Sequence, residues 1–222
     1  MYDSRSNLII GFHGCEEGTA KALLTNPDII KESTKPYDWL GHGMYFWENN
    51  QERAFQWAKT KFHSGQNKKP AVIGAVIQLG YCCDLLDSRY TAILKHYSTI
   101  MVEWYEILGI KLPENRNPSK SISNDKVVRE LDCTLIEFMH SEILTQYKKD
   151  IEERDKSDLK LFDSTRGVFL EGDRVLQGSE IYEKSHIQIC VRNPNCILGF
   201  FLPRKEIDPV KYLLDKGKPA DF

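Results

Sequence analysis

Leu40 to Asn49 reads L-G-H-G-M-Y-F-W-E-N. Two glycines bracket His42, and an apolar, aromatic run follows, which suits a strand bounded by a glycine turn. Gln51 to Phe62 comes next and has helical character, with Ala54, Trp57 and Ala58 on one face. The local unit is a glycine turn, a strand carrying Tyr45, and a helix. It is not a dinucleotide fingerprint, because G-x-G-x-x-G is incomplete and no βαβ rhythm surrounds it.

On the N-terminal side, Asn7 to Phe12 reads as a short strand that leads into G-F-H-G-C at Gly11 to Cys15. A histidine expected at a strand end and followed by glycine lets a ligand approach the backbone. Gly18 to Leu24 reads as a short helix stopped by Pro27, and Ser33 to Trp39 as a polar loop. On the C-terminal side, Ala71 to Leu79 is an apolar run rich in β-branched residues, which predicts a buried strand.

Two long helices are predicted next. From Ser88 to Leu108, Tyr90, Ile93, Leu94, Tyr97, Ile100, Met101, Trp104, Tyr105 and Leu108 keep a three-four rhythm. The second helix is expected from Asn124, as its cap, to about Tyr147. Lys148 to Lys160 is dense in charge and reads as a solvated helix end. Gly167 to Leu170, His186 to Val191 and Cys196 to Leu202 are strand candidates. Strands, then helices, then strands predict an α+β fold.

The chain has 222 residues, a net charge of −2 and 41% hydrophobic content, with a pI near 6.3. That length suits one domain with a substantial core. The charge balance gives no global attraction to nucleic acid or anionic membrane. Six cysteines form no C-x-x-C pair and no zinc spacing. Their usage fits a reducing compartment. With no signal pattern and no run of about 18 apolar residues, the expectation is a cytoplasmic chain that needs neither membrane nor metal.

Three segments in this order carry a family likeness: G-F-H-G-C, then G-H-G-M-Y-F with its helix, then H-I-Q-I-C-V followed by C-I-L-G-F-F-L. The arrangement resembles the ADP-ribosyltransferase superfamily, in its diphtheria-toxin and poly(ADP-ribose)-polymerase-like branch. That branch carries a histidine on an early strand, a tyrosine in a glycine-flanked motif after it, and usually a glutamate on a strand late in the chain. The resemblance implies one domain over residues 1–222, two packed antiparallel-type sheets split around an NAD cleft, and a helical insertion at 84–160 that the family pattern does not explain.

It also implies roles. His13 would bond a hydroxyl of the nicotinamide-side ribose, and the Gly14 backbone would hold the carboxamide. Tyr45 would stack on the nicotinamide ring, with Trp57 closing the other face. The reaction breaks the nicotinamide–ribose bond through an oxocarbenium-like state, so the site must hold the ribose and tolerate positive charge. The third position departs from the pattern. Alignment of the last strand pair puts Gln188 where glutamate is usual, and an amide keeps the hydrogen bond but loses the charge. Glu183, just upstream, is the alternative third residue.

Other residues keep two readings. Arg166, in F-D-S-T-R-G-V-F-L-E-G, could hold an NAD phosphate or a nucleic-acid phosphate, or make a structural salt bridge in a surface turn. Glu171 could act on the acceptor. His186 should face the same side of its strand as Gln188. Trp39, Trp47 and Trp104 read as core or cleft wall. The implied activity is mono-ADP-ribosyl transfer from NAD, as co-substrate, to a macromolecular acceptor, protein rather than nucleic acid. The alternatives are an NAD glycohydrolase, or an inactive module that binds NAD or ADP-ribose. An RNA 2′-phosphotransferase of the same superfamily would need a basic groove that this chain does not show.

Overall fold

Ala71 and its β-branched neighbours form β3 (Pro70–Ile77) in the computed structural model, which describes residues 8–62, 68–117, 126–204 and 210. β3 lies against β1 (Ile9–Glu16) along the whole of that strand, from Ile9↔Ile77 to Glu16↔Pro70. The remaining strands of this sheet are β2 (Met44–Glu48), β4 (Cys82–Asp84), β7 (Ser164–Phe169), β8 (His186–Val191) and β9 (Ile197–Phe201). Their order is β4-β7-β8-β2-β1-β3-β9. A small ribbon, β5 (Asn115–Arg116) with β6 (Val128–Arg129), stands apart.

The chain is therefore α+β, but the two packed antiparallel sheets are replaced by one seven-stranded mixed sheet. Two pairings account for the difference. β4 joins β7 in parallel, and β1 joins β2 at Gly11↔Glu48 and Phe12↔Trp47. The second junction is short. Beyond Phe12 the two strands separate, so the sheet is split at one end while continuous at the other.

Helices cover both faces. α1 (Glu17–Thr25) buries Ala20 and Leu23 in a cluster with Cys15, Phe46, Ile73, Ala75 and Ile189. α2 (Gln51–Lys61) is capped by the Asn50 side chain, which accepts the Arg53 N–H, and it lies along β1 and β3. Gly14 makes that approach possible, because a Cβ there would meet the Ala54 carbonyl and the Trp57 ring. Between β4 and β7 run α3 (Ser88–Leu108) and α4 (Glu130–Arg154). Asp87 caps α3 at its start and Gly109 ends it in the left-handed conformation. The two helices pack around Cys83, Tyr90, Ile136, Met139, Ile143 and Phe162.

Several expectations change here. His13 lies within β1 rather than at a strand end, because pairing with β3 carries the strand on to Glu16. α4 begins at Glu130, and the cap expected at Asn124 lies outside the described residues. Trp104 is 54% exposed near the end of α3 rather than in the core or a cleft wall. Asp150 is buried within the charged stretch that was expected to be solvated. It accepts bonds from Gln146 and Ser157 and pairs with Arg154. All six cysteines are buried thiols outside any disulfide, and burial pushes the Cys83 and Cys133 thiols up to about 12.

Candidate functional site

The seam between β1 and β2 brings the motif segments together. Continued in register, His13 would face Phe46 and Gly14 would face Tyr45 across the sheet. Instead the His13 ring itself bonds the neighbouring strand: its Nδ1 lies 2.8 Å from the Tyr45 carbonyl oxygen. A carbonyl only accepts, so Nδ1 carries the hydrogen. Burial holds the His13 pKa below the usual value. The Tyr45 carbonyl opposes that shift, and nearby Lys61 adds to it. The ring is thus neutral at pH 7, and its Nε2 has a lone pair that can accept a hydroxyl.

Tyr45 stands on β2 with its ring packed beside Trp39, Leu40, Phe169 and Cys190. Its hydroxyl accepts the Leu40 N–H at 2.9 Å and donates to the Gly41 carbonyl at 2.8 Å. Burial raises the phenol well above 10. The Trp57 ring lies against Gly14 from α2, 5.6 Å from the Trp47 ring, with Lys61 Nζ 4.5 Å from its centroid. Asp38 joins the group: its charge acts on Lys61 and Tyr45, and burial raises its own pKa. The sequence offered no signal for Asp38 or Lys61, which come from loop and helix end.

Gln188 lies on β8 opposite Trp47 of β2 and Gly167 of β7. It is buried at 8% exposure. The Trp39 indole N–H donates to its Oε1 at 2.6 Å. Because indole is only a donor, this fixes the orientation of the amide. The Gln188 Nε2 then faces His186 Nε2 at 3.1 Å, and His186 Nδ1 donates to the Lys184 carbonyl at 2.6 Å. Hydrogen bonds run in one direction from Trp39 through Gln188 and His186 to the backbone. Burial keeps the His186 pKa low, consistent with a neutral ring that accepts from Gln188. His186 and Gln188 do share a face of the strand.

Glu183 is not brought to this group. It is exposed on the hairpin before β8, and its backbone N–H is bonded to the Asp173 carbonyl. Glu171 is the carboxylate nearer to His186, on which its charge acts, and it is paired with Arg53 of α2.

Arg166 lies in the middle of β7, not in a surface turn, and is 6% exposed. Its Nε and Nη2 donate to Glu48 at 2.6 and 2.9 Å, and its Nη1 donates to both Asp84 oxygens at 3.2 Å. Both edges of the guanidinium are committed to carboxylates, so Arg166 makes a structural salt bridge inside the sheet rather than in a surface turn.

A cavity of about 670 Å³ lies elsewhere, lined by α3, α4, Tyr81 just before β4 and the segment before β7, including Tyr97, Ile143 and Phe162. None of its lining residues comes from the three motif segments, so the candidate site is placed by chemistry rather than by volume. Among the described residues no His, Cys, Asp or Glu group is arranged to hold a metal ion. No helix among them is long and apolar enough to cross a membrane. Comparisons with family models, curated proteins and solved structures give no match.

Proposed function

We propose that the chain binds NAD at the β1–β2 split and transfers its ADP-ribosyl group to a macromolecular acceptor, with release of nicotinamide. The observation that carries this reading is the order of the strands. β8, β2 and β1 are neighbours, and they carry Gln188, Tyr45 and His13 from distant parts of the sequence onto three adjacent strands. His13 offers a neutral Nε2 to a ribose hydroxyl. Trp57 and Tyr45 offer rings to a planar heterocycle, which stays held as it leaves. In the reaction the C1′–N bond to nicotinamide breaks and nicotinamide takes the electron pair. The acceptor nucleophile bonds C1′ and gives up its proton to solvent. Arg166 enters only as a strut.

A binding module without turnover has one observation in its favour. Gln188 is uncharged, and both ends of its amide are engaged by Trp39 and His186. It therefore supplies a dipole and no negative charge to an oxocarbenium-like state.

The test is nicotinamide release from NAD by wild type, His13→Ala and Gln188→Ala, with and without cell lysate. Release that needs lysate and is lost in His13→Ala supports transfer. Release without lysate identifies a hydrolase. NAD binding without release identifies the module, and absence of both binding and release overturns the reading.

A further inference from the structure

Glu137 of α4 reaches the G-H-G turn from the helical segment that the family resemblance leaves unexplained. Its Oε1 accepts the His42 backbone N–H at 2.7 Å and an Arg192 Nη1–H. The same Arg192 nitrogen donates to the His42 carbonyl at 3.1 Å. Both backbone polar groups of His42 are thus taken by one ion pair, and the His42 ring Nδ1 stands 3.5 Å from the other Glu137 oxygen. Gly41 makes the approach possible. Its φ is +85°, and a Cβ there would lie 2.5 Å from Glu137 Oε1 and 2.8 Å from Ile136 Cγ2. The other side of the turn is fastened by the Tyr45 hydroxyl, bonded at Leu40 and Gly41.

We propose that Glu137 is a positioning residue: with Arg192 it clamps the turn 40–43 and thereby sets where Tyr45 stands. This gives α4 a role at the seam, and it rests on the NAD reading above. Burial opposes the Glu137 charge, but Arg192 and the two His42 contacts outweigh it and keep the carboxyl below its ordinary value. The carboxylate is therefore ionised when it holds the turn. Losing a hydrogen bond to a charged group costs about 1.5–3 kcal/mol, or roughly tenfold or more in an equilibrium.

The experiment follows amide hydrogen exchange of peptides covering 40–47 and NAD affinity by calorimetry, in wild type and in the Glu137→Ala and Glu137→Gln variants. Glu130→Ala, which removes the pair with Arg116 from the same helix, is the control. In E137A, exchange at 40–47 should rise about tenfold and the NAD Kd should rise roughly tenfold, given the lost charged bond. E137Q keeps an acceptor for the His42 N–H but loses the charge that pairs with Arg192, so both readouts should fall between those of E137A and wild type, and E130A should change neither. If E137A does not fold, Glu137→Asp keeps the charge, shortens the reach and should show the same rise. Wild-type exchange at 40–47 in E137A, or no recovery in E137Q, overturns the clamp. A wild type that does not bind NAD overturns the functional reading instead, and the exchange pattern alone then decides the clamp.

Discussion

The His13 ring donates from Nδ1 to the Tyr45 carbonyl 2.8 Å away, at the point where β1 and β2 stop pairing as strands. One side chain thus replaces a backbone ladder, and the same bond fixes which ring nitrogen is left to meet a ligand.

Substitutions at His13 separate these two tasks. His13→Asn retains an N–H near the position of Nδ1 but has nothing in place of Nε2. It should keep nearly wild-type stability and lose NAD affinity by more than about tenfold, as for one missing hydrogen bond in a buried site. His13→Ala should lose the affinity and also about 1–2 kcal/mol of stability, because the Tyr45 carbonyl is left without its partner. Urea unfolding alongside NAD calorimetry measures both. Equal affinity in H13N and wild type would remove Nε2 from the proposal.

The pH dependence of NAD binding follows from the lowered His13 pKa. The accepting form is the neutral ring. It should persist as pH falls through about 6.5, the ordinary histidine value, and be lost only below that. A binding profile that drops by half at pH 6.5 or above would contradict a neutral, buried His13.

A carboxylate at position 188 tests what the amide lacks. Gln188→Glu can still accept the Trp39 N–H but adds negative charge where positive charge would develop. It should raise the rate of nicotinamide release about tenfold or more, at the scale of one such electrostatic contact. It should also cost stability, because the added charge is buried. No gain in rate with NAD still bound would point to the module without turnover.

Arg166 should behave as structure. Arg166→Met leaves Glu48 and Asp84 without their shared cation and should cost about 3–5 kcal/mol. Arg166→Lys restores a charge, and where it folds, NAD affinity should stay within about threefold, the effect of a site without direct contact. Intact stability with lost NAD affinity would return the phosphate role to this residue.

His140 gives the protein a sensitivity to acid. Burial, with the Arg192 charge, lowers its pKa to about 3, and its Nε2 is buried without a hydrogen-bond partner. The folded pKa lies below the unfolded value of about 6.5, so the unfolded chain binds a proton first. Stability should be fully present above about pH 6.5 and fall as pH drops from there toward 3. The loss approaches several kcal/mol, at about 1.4 kcal/mol per pKa unit. His140→Phe should flatten that part of the curve in urea midpoints measured across pH.

Segments with strong periodicity were legible in the sequence. α3 occupies Ser88–Leu108 and β8 occupies His186–Val191, as read from the apolar rhythm. The same rhythm did not reveal that Trp104 is exposed, because periodicity shows a face and not whether anything covers it. The placement of Arg166 was not legible, since its partners come from β2 and β4 and only the sheet order brings them together. Strand pairing also took β1 past His13, where the glycine suggested an end. Glu137, Asp38 and Lys61 bear no local signature, and their places follow from long-range contacts. Gln188 was visible by alignment with the last strand pair, but its bond to Trp39 was not.

The seam also has a mechanical meaning. Among the described residues, two residue pairs, the Asn49 N–H bond to the Ile10 carbonyl and one imidazole bond tie the β2 edge of the β4-β7-β8-β2 blade to β1 of the β1-β3-β9 blade, whereas β1 and β3 are paired over the full length of β1. Under tension across the sheet, the molecule should therefore yield first between β1 and β2, opening like a hinged pair of leaves with its pivot at Gly11 and Phe12.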